Sequence, residues 1–365
     1  MNLRQLIILA IFVFTNIGIA HAQPEVDVKI RQIKEIIEAT VQEENIPAVS
    51  AAIITGDDHY YLNFGTMDRS TEESVTAESI YQIASLGKML VGIITQNLIL
   101  EGTISVDQSI ADFLTLDMKA SRKKRLEQIT IRHLLHHTSG LRGDAKHVYK
   151  RKDGTAYNYD FKVEDFEKEL RKIRLYELGK YRYSNFGYAL LSHILEKVSG
   201  LTYDQLLSNY ICTPYGLEST YLDLPEHKRS SVVTPYRKDN RSKRTQVWKM
   251  GKLGPPSAVY STVKDFTKLL KAQLNSYKTH GAKSATQPLV LTYDTMVKLK
   301  QYGINYGYGI NQWSPAMFGH SGDMDGYAVD YSFNIEYDYG IIIFTSSGED
   351  WINPIIRKVN NLMME

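Results

Sequence analysis

Ser85 and Lys88 stand three residues apart in the stretch YQIASLGKML. On a helix that spacing puts both side chains on one face, with Cβ atoms about 5–6 Å apart. Residues 86–100 are apolar nearly all round, which predicts a helix buried in the core. A lysine there has little surface to escape to. Burial lowers a lysine pKa, and a neutral or proton-sharing lysine can help activate a serine. A serine that opens the helix lies near the positive end of the dipole, and its amide has no intrahelical partner. Such an amide is half of an oxyanion hole. The competing reading is an ordinary helical lysine that reaches solvent along its own stem. By itself Ser-x-x-Lys does not decide between them.

Two further stretches supply partners. YRYSNFGYALL carries Tyr183-Ser184-Asn185, and FGHSGDMDGY carries His320-Ser321-Gly322 at the start of a strand candidate. A tyrosine held near a lysine can be partly phenolate and act as a general base. An asparagine can donate to a substrate carbonyl. A glycine in the strand would let substrate backbone approach its edge.

Other reactive residue types read as structural. His133, His136 and His137 form H-x-x-H-H on one predicted helical turn, but no carboxylate completes a local metal set, so no metal site is expected. Thr138-Ser139-Gly140 reads as the stop of that helix, with Gly140 as its cap. Tyr181, Tyr188, Tyr306, Tyr308 and Tyr327 read as packing residues. Cys212 is the one cysteine, so no internal disulfide is available, and YICTPYGL reads as packing.

The elements that must position these residues fall into a clear order. Residues 26–44 have helical spacing of apolar positions. AVSAAIITG and HYYLNFG read as a hairpin turning at Gly56-Asp57-Asp58. Candidate helices follow at 131–137, 163–173, 188–198 and 203–211. A helix over 262–274 precedes three strand candidates, YGYGINQW, GYAVDYSFNI and YGIIIFTSS, and a last helix over 354–364. The basic run KASRKKR at 119–125 reads as a solvated loop. The charged connection 142–180 is long enough to cover a site. Strands at both ends with helices between them predict an α+β fold. In it, one antiparallel sheet is built from both chain ends, with flanking helices and an inserted, mostly helical lobe.

The chain has 365 residues, of which 43% are hydrophobic and 23% charged, with a formal net charge of +2. That balance suits a globular protein and gives no reason to expect nucleic-acid binding. The N-terminus has one positive charge in MNLRQ, the apolar run LIILAIFVF, and Ala20-His21-Ala22 before Gln23. This is the pattern of a secretory signal peptide over residues 1–22, with a retained anchor as the other reading. The expected mature chain, 23–365, is exported to the periplasm or beyond a bacterial cell and has no stable membrane span.

The Ser85/Lys88, Tyr183/Asn185 and His320-Ser321-Gly322 elements, in this order, resemble the serine beta-lactamase and penicillin-binding protein family. The likeness is strongest to class C beta-lactamases, D-alanyl-D-alanine carboxypeptidases and related esterases. ITIRHLLHHTSGL and SAVYSTVKDFTKLL also resemble stretches of that family, and the resemblance runs over roughly 30–350. It implies a single catalytic domain, with an α/β lobe over about 23–80 and 255–365 and a helical lobe over about 81–254. It implies an exported serine hydrolase that needs no cofactor. The substrate would be a small molecule or peptide, either a D-amino peptide, a beta-lactam or a small ester. A slow-turnover penicillin-binding sensor and an inactive scaffold are the alternatives. Ser85 would be the acylated nucleophile, Lys88 its proton-transfer partner and Tyr183 the general base. Asn185 would position substrate, and the amides of Ser85 and Asp323 would form the oxyanion hole. The sequence departs from the beta-lactamases in two places. His320-Ser321-Gly322 stands where Lys-Thr-Gly is usual, and Pro255-Pro256 replaces a common glycine pair.

Overall fold

A computed structural model describes residues 24–115, 117–145, 160–172, 175–294, 296–300, 303–348 and 350–365. The signal-peptide segment and most of the tip of the long connection lie outside the described residues.

Helix α1 (Pro24–Glu43) leads into the hairpin of β1 (Ala48–Thr55) and β2 (Asp58–Gly65). The last strands of the chain, β8 (Met317–Met324), β9 (Tyr327–Asn334) and β10 (Tyr339–Thr345), complete the centre of the sheet. Its eight strands run in the order β2-β1-β10-β9-β8-β7-β6-β5, where β5 is Val297–Leu299, β6 Ile304–Tyr306 and β7 Asn311–Gln312. Strand β1 lies antiparallel to β10, from Val49 opposite Thr345 to Thr55 opposite Tyr339. The sheet is therefore built from both ends of the described chain, as the patterns at the two ends predict. A two-stranded sheet pairs β3 (Ile80–Gln82) with β4 (Tyr260–Thr262).

Alternation along the central strands divides the core into two layers. Val49, Ala51, Ile53, Ile341 and Ile343 face outward and pack with Ile33 and Ile37 of α1 and with Ile355 and Val359 of α10 (Ile352–Met364). Ala52, Ile54, Ile342 and Phe344 face the other way. They meet α9 (Val263–His280) and α2 (Gly87–Leu100), which is buried along most of its length as its composition predicts. The same inner core continues into α4 (Ile131–Leu135), α5 (Val163–Lys172), α6 (Asn185–Ser199) and α7 (Tyr203–Leu207).

Three local expectations are corrected. The basic run at 119–125 belongs largely to helix α3 (Ala120–Leu126), because lysine and arginine are good helix formers and Leu126 anchors the turn in the core. YGYGINQW is not one strand but the end of β6, a turn with Gly309 at φ +77, and the two-residue strand β7. A Cβ on Gly309 would sit 2.4 Å from the Lys88 carbonyl oxygen, so this turn is pressed onto α2. Finally, His320-Ser321-Gly322 does not begin a strand but lies inside β8, a full strand paired along its length with β9. After Leu207 the chain continues through a π turn, Ser208–Cys212, and the single turn α8 (Thr213–Tyr215). Among the described residues no helix is long and apolar enough to cross a membrane.

Candidate active site

The chain turns sharply before Ser85. Ala84 has φ +45, a sparsely allowed value for a residue with a Cβ. Ser85 then lies in a 3-10 turn, Ala84–Leu86, that feeds directly into α2. Lys88, on the first turn of that helix, is fully buried. Its Nζ donates to Ser85 Oγ at 3.0 Å and to the Pro256 carbonyl at 3.3 Å. Pro255-Pro256 therefore closes over the lysine. Burial pulls the Lys88 ammonium down to about 7, with the Asp144 carboxylate acting in the opposite direction. The solvent-seeking reading of this lysine is excluded by its surroundings.

Tyr183 approaches from the segment just ahead of α6. Its hydroxyl donates to Ser85 Oγ at 2.9 Å, and Lys88 Nζ lies 4.9 Å from the centre of its ring. Burial pushes the Tyr183 phenol well above its ordinary value, while the bond to Ser85 acts the other way. The phenolate expected from the sequence is therefore not the favoured form. Desolvation penalises an anion here more than the hydrogen bond to Ser85 favours it. The group balanced near neutrality is Lys88.

Asn185 is the first residue of α6, and Ser184 caps that helix by accepting from the Gly187 amide at 2.8 Å. Asn185 Nδ2 donates to Asp144 Oδ1 at 2.9 Å, leaving Asn185 Oδ1 buried with no hydrogen-bond partner among the described residues.

Strand β8 closes the other side. A Cβ on Gly322 would sit 2.7 Å from the Ser85 nitrogen and 2.8 Å from the Ala84 Cβ, so this strand passes the nucleophile at a distance only glycine allows. Asp323 follows, its carboxylate paired with Lys238 at 2.9 Å. His320 is buried on the Lys88 side of the strand, with Nδ1 2.5 Å from the Ser321 carbonyl oxygen. A carbonyl can only accept, so Nδ1 carries the proton and Nε2 is a bare acceptor, buried with no hydrogen-bond partner among the described residues. Burial, reinforced by Lys88, holds the His320 imidazole down at about 4, so it is neutral near pH 7. A cavity of about 710 Å³ opens from Ser85 along Tyr183, His320, Ser321 and Gly322 to Trp313, and to Arg357 of α10.

Lys88, Tyr183 and Gly322 are thus brought to Ser85, and His320, Ser321 and Asp323 line the same cavity, whereas Asn185 is placed against Asp144. Three others were missed. Asp144 lies in the charged connection 142–180, whose length marks it as a cover for a site but whose sequence singles out no one residue. Tyr306 reads from sequence as one of several packing tyrosines, and His137 as a structural residue of a helix that holds no metal. The three histidines go to different places. His133 caps its own helix through Thr130, and His136 lies 5.2 Å, ring to ring, from Tyr308. His137 lies 4.4 Å, ring to ring, from Tyr183, tilted by 39°. Helix α4 ends at Leu135, before Gly140, because His137 itself takes the left-handed conformation at φ +56. Cys212 donates to the Thr220 carbonyl at 3.7 Å, and burial pushes its thiol up to about 12, which fits packing.

Solved structures share this fold. A class C beta-lactamase from Rhodobacter sphaeroides is 18% identical, with a TM-score of 0.75 over 92% of this chain and 98% of that one. The octameric penicillin-binding protein homologue from Pyrococcus abyssi is 24% identical, with a TM-score of 0.72 over 87% and 73%. Among curated relatives, a beta-lactamase from Providencia stuartii is 25% identical over 250 residues, 68% of this chain and 61% of that protein. Penicillin-binding protein 4 of Amycolatopsis lactamdurans is 27% identical over 197 residues, 53% of this chain and 49% of its own. The chain thus spans between 49% and 61% of the length of these two relatives. The Beta-lactamase family model matches residues 33–352, and with that match the chain belongs to the beta-lactamase family.

Proposed function

We propose that the protein is a serine hydrolase that works through an acyl-enzyme on Ser85. The observation that carries this reading is the double approach to Ser85 Oγ, by Lys88 Nζ at 3.0 Å and Tyr183 Oη at 2.9 Å, with the lysine fully buried. Neutral Lys88 takes the Ser85 proton as Oγ attacks a carbonyl carbon. Tyr183 relays that proton to the leaving group. The oxyanion that forms is met by the Ser85 amide and by the Asp323 amide on the strand beside it. Asn185 orients the acyl portion. Water then attacks the ester carbonyl and frees Ser85.

The carbonyl belongs to a small ester, an amide of a D-amino peptide or a lactam. His320 favours the uncharged end of that range. Held neutral by burial, it brings no cation to the cavity wall, where a substrate carboxylate needs one. Arg357 is a cation along the cavity, but it comes from α10 rather than from β8. Nitrocefin, a D-Ala-D-Ala peptide and p-nitrophenyl acetate, each offered to wild type and Ser85→Ala, test the reading. We expect wild type to turn over the ester fastest and Ser85→Ala to lose all three activities. Labelling of Ser85→Ala by a fluorophosphonate at the wild-type rate removes the nucleophile assignment. We also propose export, supported by the N-terminal pattern alone. Sequencing the protein recovered outside the cytoplasm should start near Gln23.

A further inference from the structure

His137 is fully buried, and the hydrogen-bonded chain that runs through its ring begins at one backbone group and ends at another. Its Nδ1 lies 3.0 Å from the Ser184 amide. An amide can only donate, so Nδ1 is unprotonated and Nε2 carries the hydrogen. Nε2–H donates to Tyr306 Oη at 3.1 Å, Tyr306 donates to Tyr188 Oη at 3.4 Å, and Tyr188 donates to the Leu135 carbonyl at 2.7 Å. Every proton along this chain has one allowed position.

The same residue holds the peptides on both sides of Tyr183. The His137 carbonyl accepts from the Arg182 amide at 2.7 Å, and its imidazole accepts from the Ser184 amide. Between those two anchors the ring of Tyr183 lies 4.4 Å from the imidazole, tilted by 39°. The φ of +56 at His137 turns its carbonyl and its side chain toward the same segment. An ordinary core histidine needs one partner per nitrogen. This one is used three times on three successive residues, 182 to 184. We propose that His137 is the positioning residue for Tyr183, a clamp that sets the phenol at Ser85 Oγ through the imidazole acceptor. Protonation would put an N–H against the Ser184 N–H and open the clamp. Burial, with Lys88, His320 and His136 nearby, keeps the ring neutral.

This inference rests on the reading of Ser85 as nucleophile, and the experiment separates the two. Acylation by the fluorophosphonate or the p-nitrophenyl ester is followed in wild type, Ser85→Ala, His137→Asn and His137→Phe. Asparagine tolerates the left-handed backbone and offers Oδ1 near the position of Nδ1, so it keeps the bond to Ser184 and loses the ring contact. Phenylalanine keeps the ring contact and loses the acceptor. We expect His137→Phe to lower kcat on the order of 100-fold with little change in KM. We expect His137→Asn to stay within about ten-fold of wild type. Comparable losses in both variants, or a folded His137→Phe with wild-type kcat, overturn the clamp. If His137→Phe does not fold, His137→Asn and the imidazole nitrogen resonances of wild type decide. A protonated Nδ1 at neutral pH, or a loss in His137→Asn well beyond ten-fold, overturns it. Undiminished labelling of Ser85→Ala instead overturns the function on which it rests.

Discussion

The two faces of the central sheet are packed on opposite terms. On the outer face, Ile53, Ile341 and Ile343 meet Ile37, Ile355 and Val359, an aliphatic layer closed by α1 and α10. On the inner face, equally buried, stand Lys88, His137, Tyr188, Tyr306 and His320. The outer layer gains stability from each methylene removed from water. The inner layer holds a lysine in the wrong dielectric for its charge and leaves Asn185 Oδ1 and His320 Nε2 unbonded among the described residues. The comparison teaches that one face stabilises the fold, and that the other gives up part of that stability to keep Lys88 near neutrality beside a serine.

The largest test of this contrast is Lys88→Met. It should lower acylation on the order of 10³-fold or more, since the proton acceptor is gone. It should also raise stability, by roughly 1–3 kcal/mol at pH 6. The sign follows from linkage. The folded-state value of about 7 lies below that of an unfolded lysine, so the unfolded chain binds more protons above pH 7. The burial penalty is therefore complete at and below that pH and shrinks as pH rises toward the unfolded value. Thermal melts of both proteins at pH 6 and pH 9 check this. A Lys88→Met protein less stable than wild type at pH 6 breaks the contrast.

Ile343→Ala is the mirror experiment. Removing an aliphatic side chain from the outer layer should cost about 2–5 kcal/mol and leave kcat per folded molecule unchanged at 25 °C. Urea titration and active-site labelling measure the two quantities separately. A matching fall in kcat means that the layers are mechanically coupled.

A smaller effect is the pH profile. With Lys88 as acceptor, kcat/KM should rise about ten-fold per unit below pH 7 and level off above it. His320 changes charge only near 4 and does not contribute to this window. A profile still rising steeply above pH 8 would break the assignment of Lys88 as the proton acceptor.

How much of this could be read beforehand follows from the same physics. Continuous apolar runs mark β1 and β10 because both of their faces meet apolar layers, while the edge strand β2, exposed along much of its length, is marked by the turn that precedes it. Ser85 and Lys88 stand out because a charge in an apolar helix is conspicuous. Strand β8 was only half legible. Gly319, Ser321, Gly322 and Asp323 are poor strand formers, and Gly322 is present because Ser85 passes at contact distance. His137 was illegible as a clamp. Its meaning lies in a positive φ and in two amides more than forty residues away in sequence, neither of which leaves a local pattern.

Thr130→Ala, the smallest effect, asks whether α4 is only a platform for His137. Thr130 and His133 form a reciprocal cap at the start of that helix, the Thr130 oxygen accepting from the His133 amide and His133 Nδ1 from the Thr130 amide. Losing the cap should cost about 1 kcal/mol of stability. The helix is five residues long, and its far end is tied down independently by Tyr188 and by the Arg182 and Ser184 amides. Fraying at the start should therefore not reach His137, and kcat should stay within about two-fold of wild type. A ten-fold loss of kcat in folded Thr130→Ala means that the cap and the clamp form one unit, and His133 then belongs with the inner layer's working groups rather than with its scaffold.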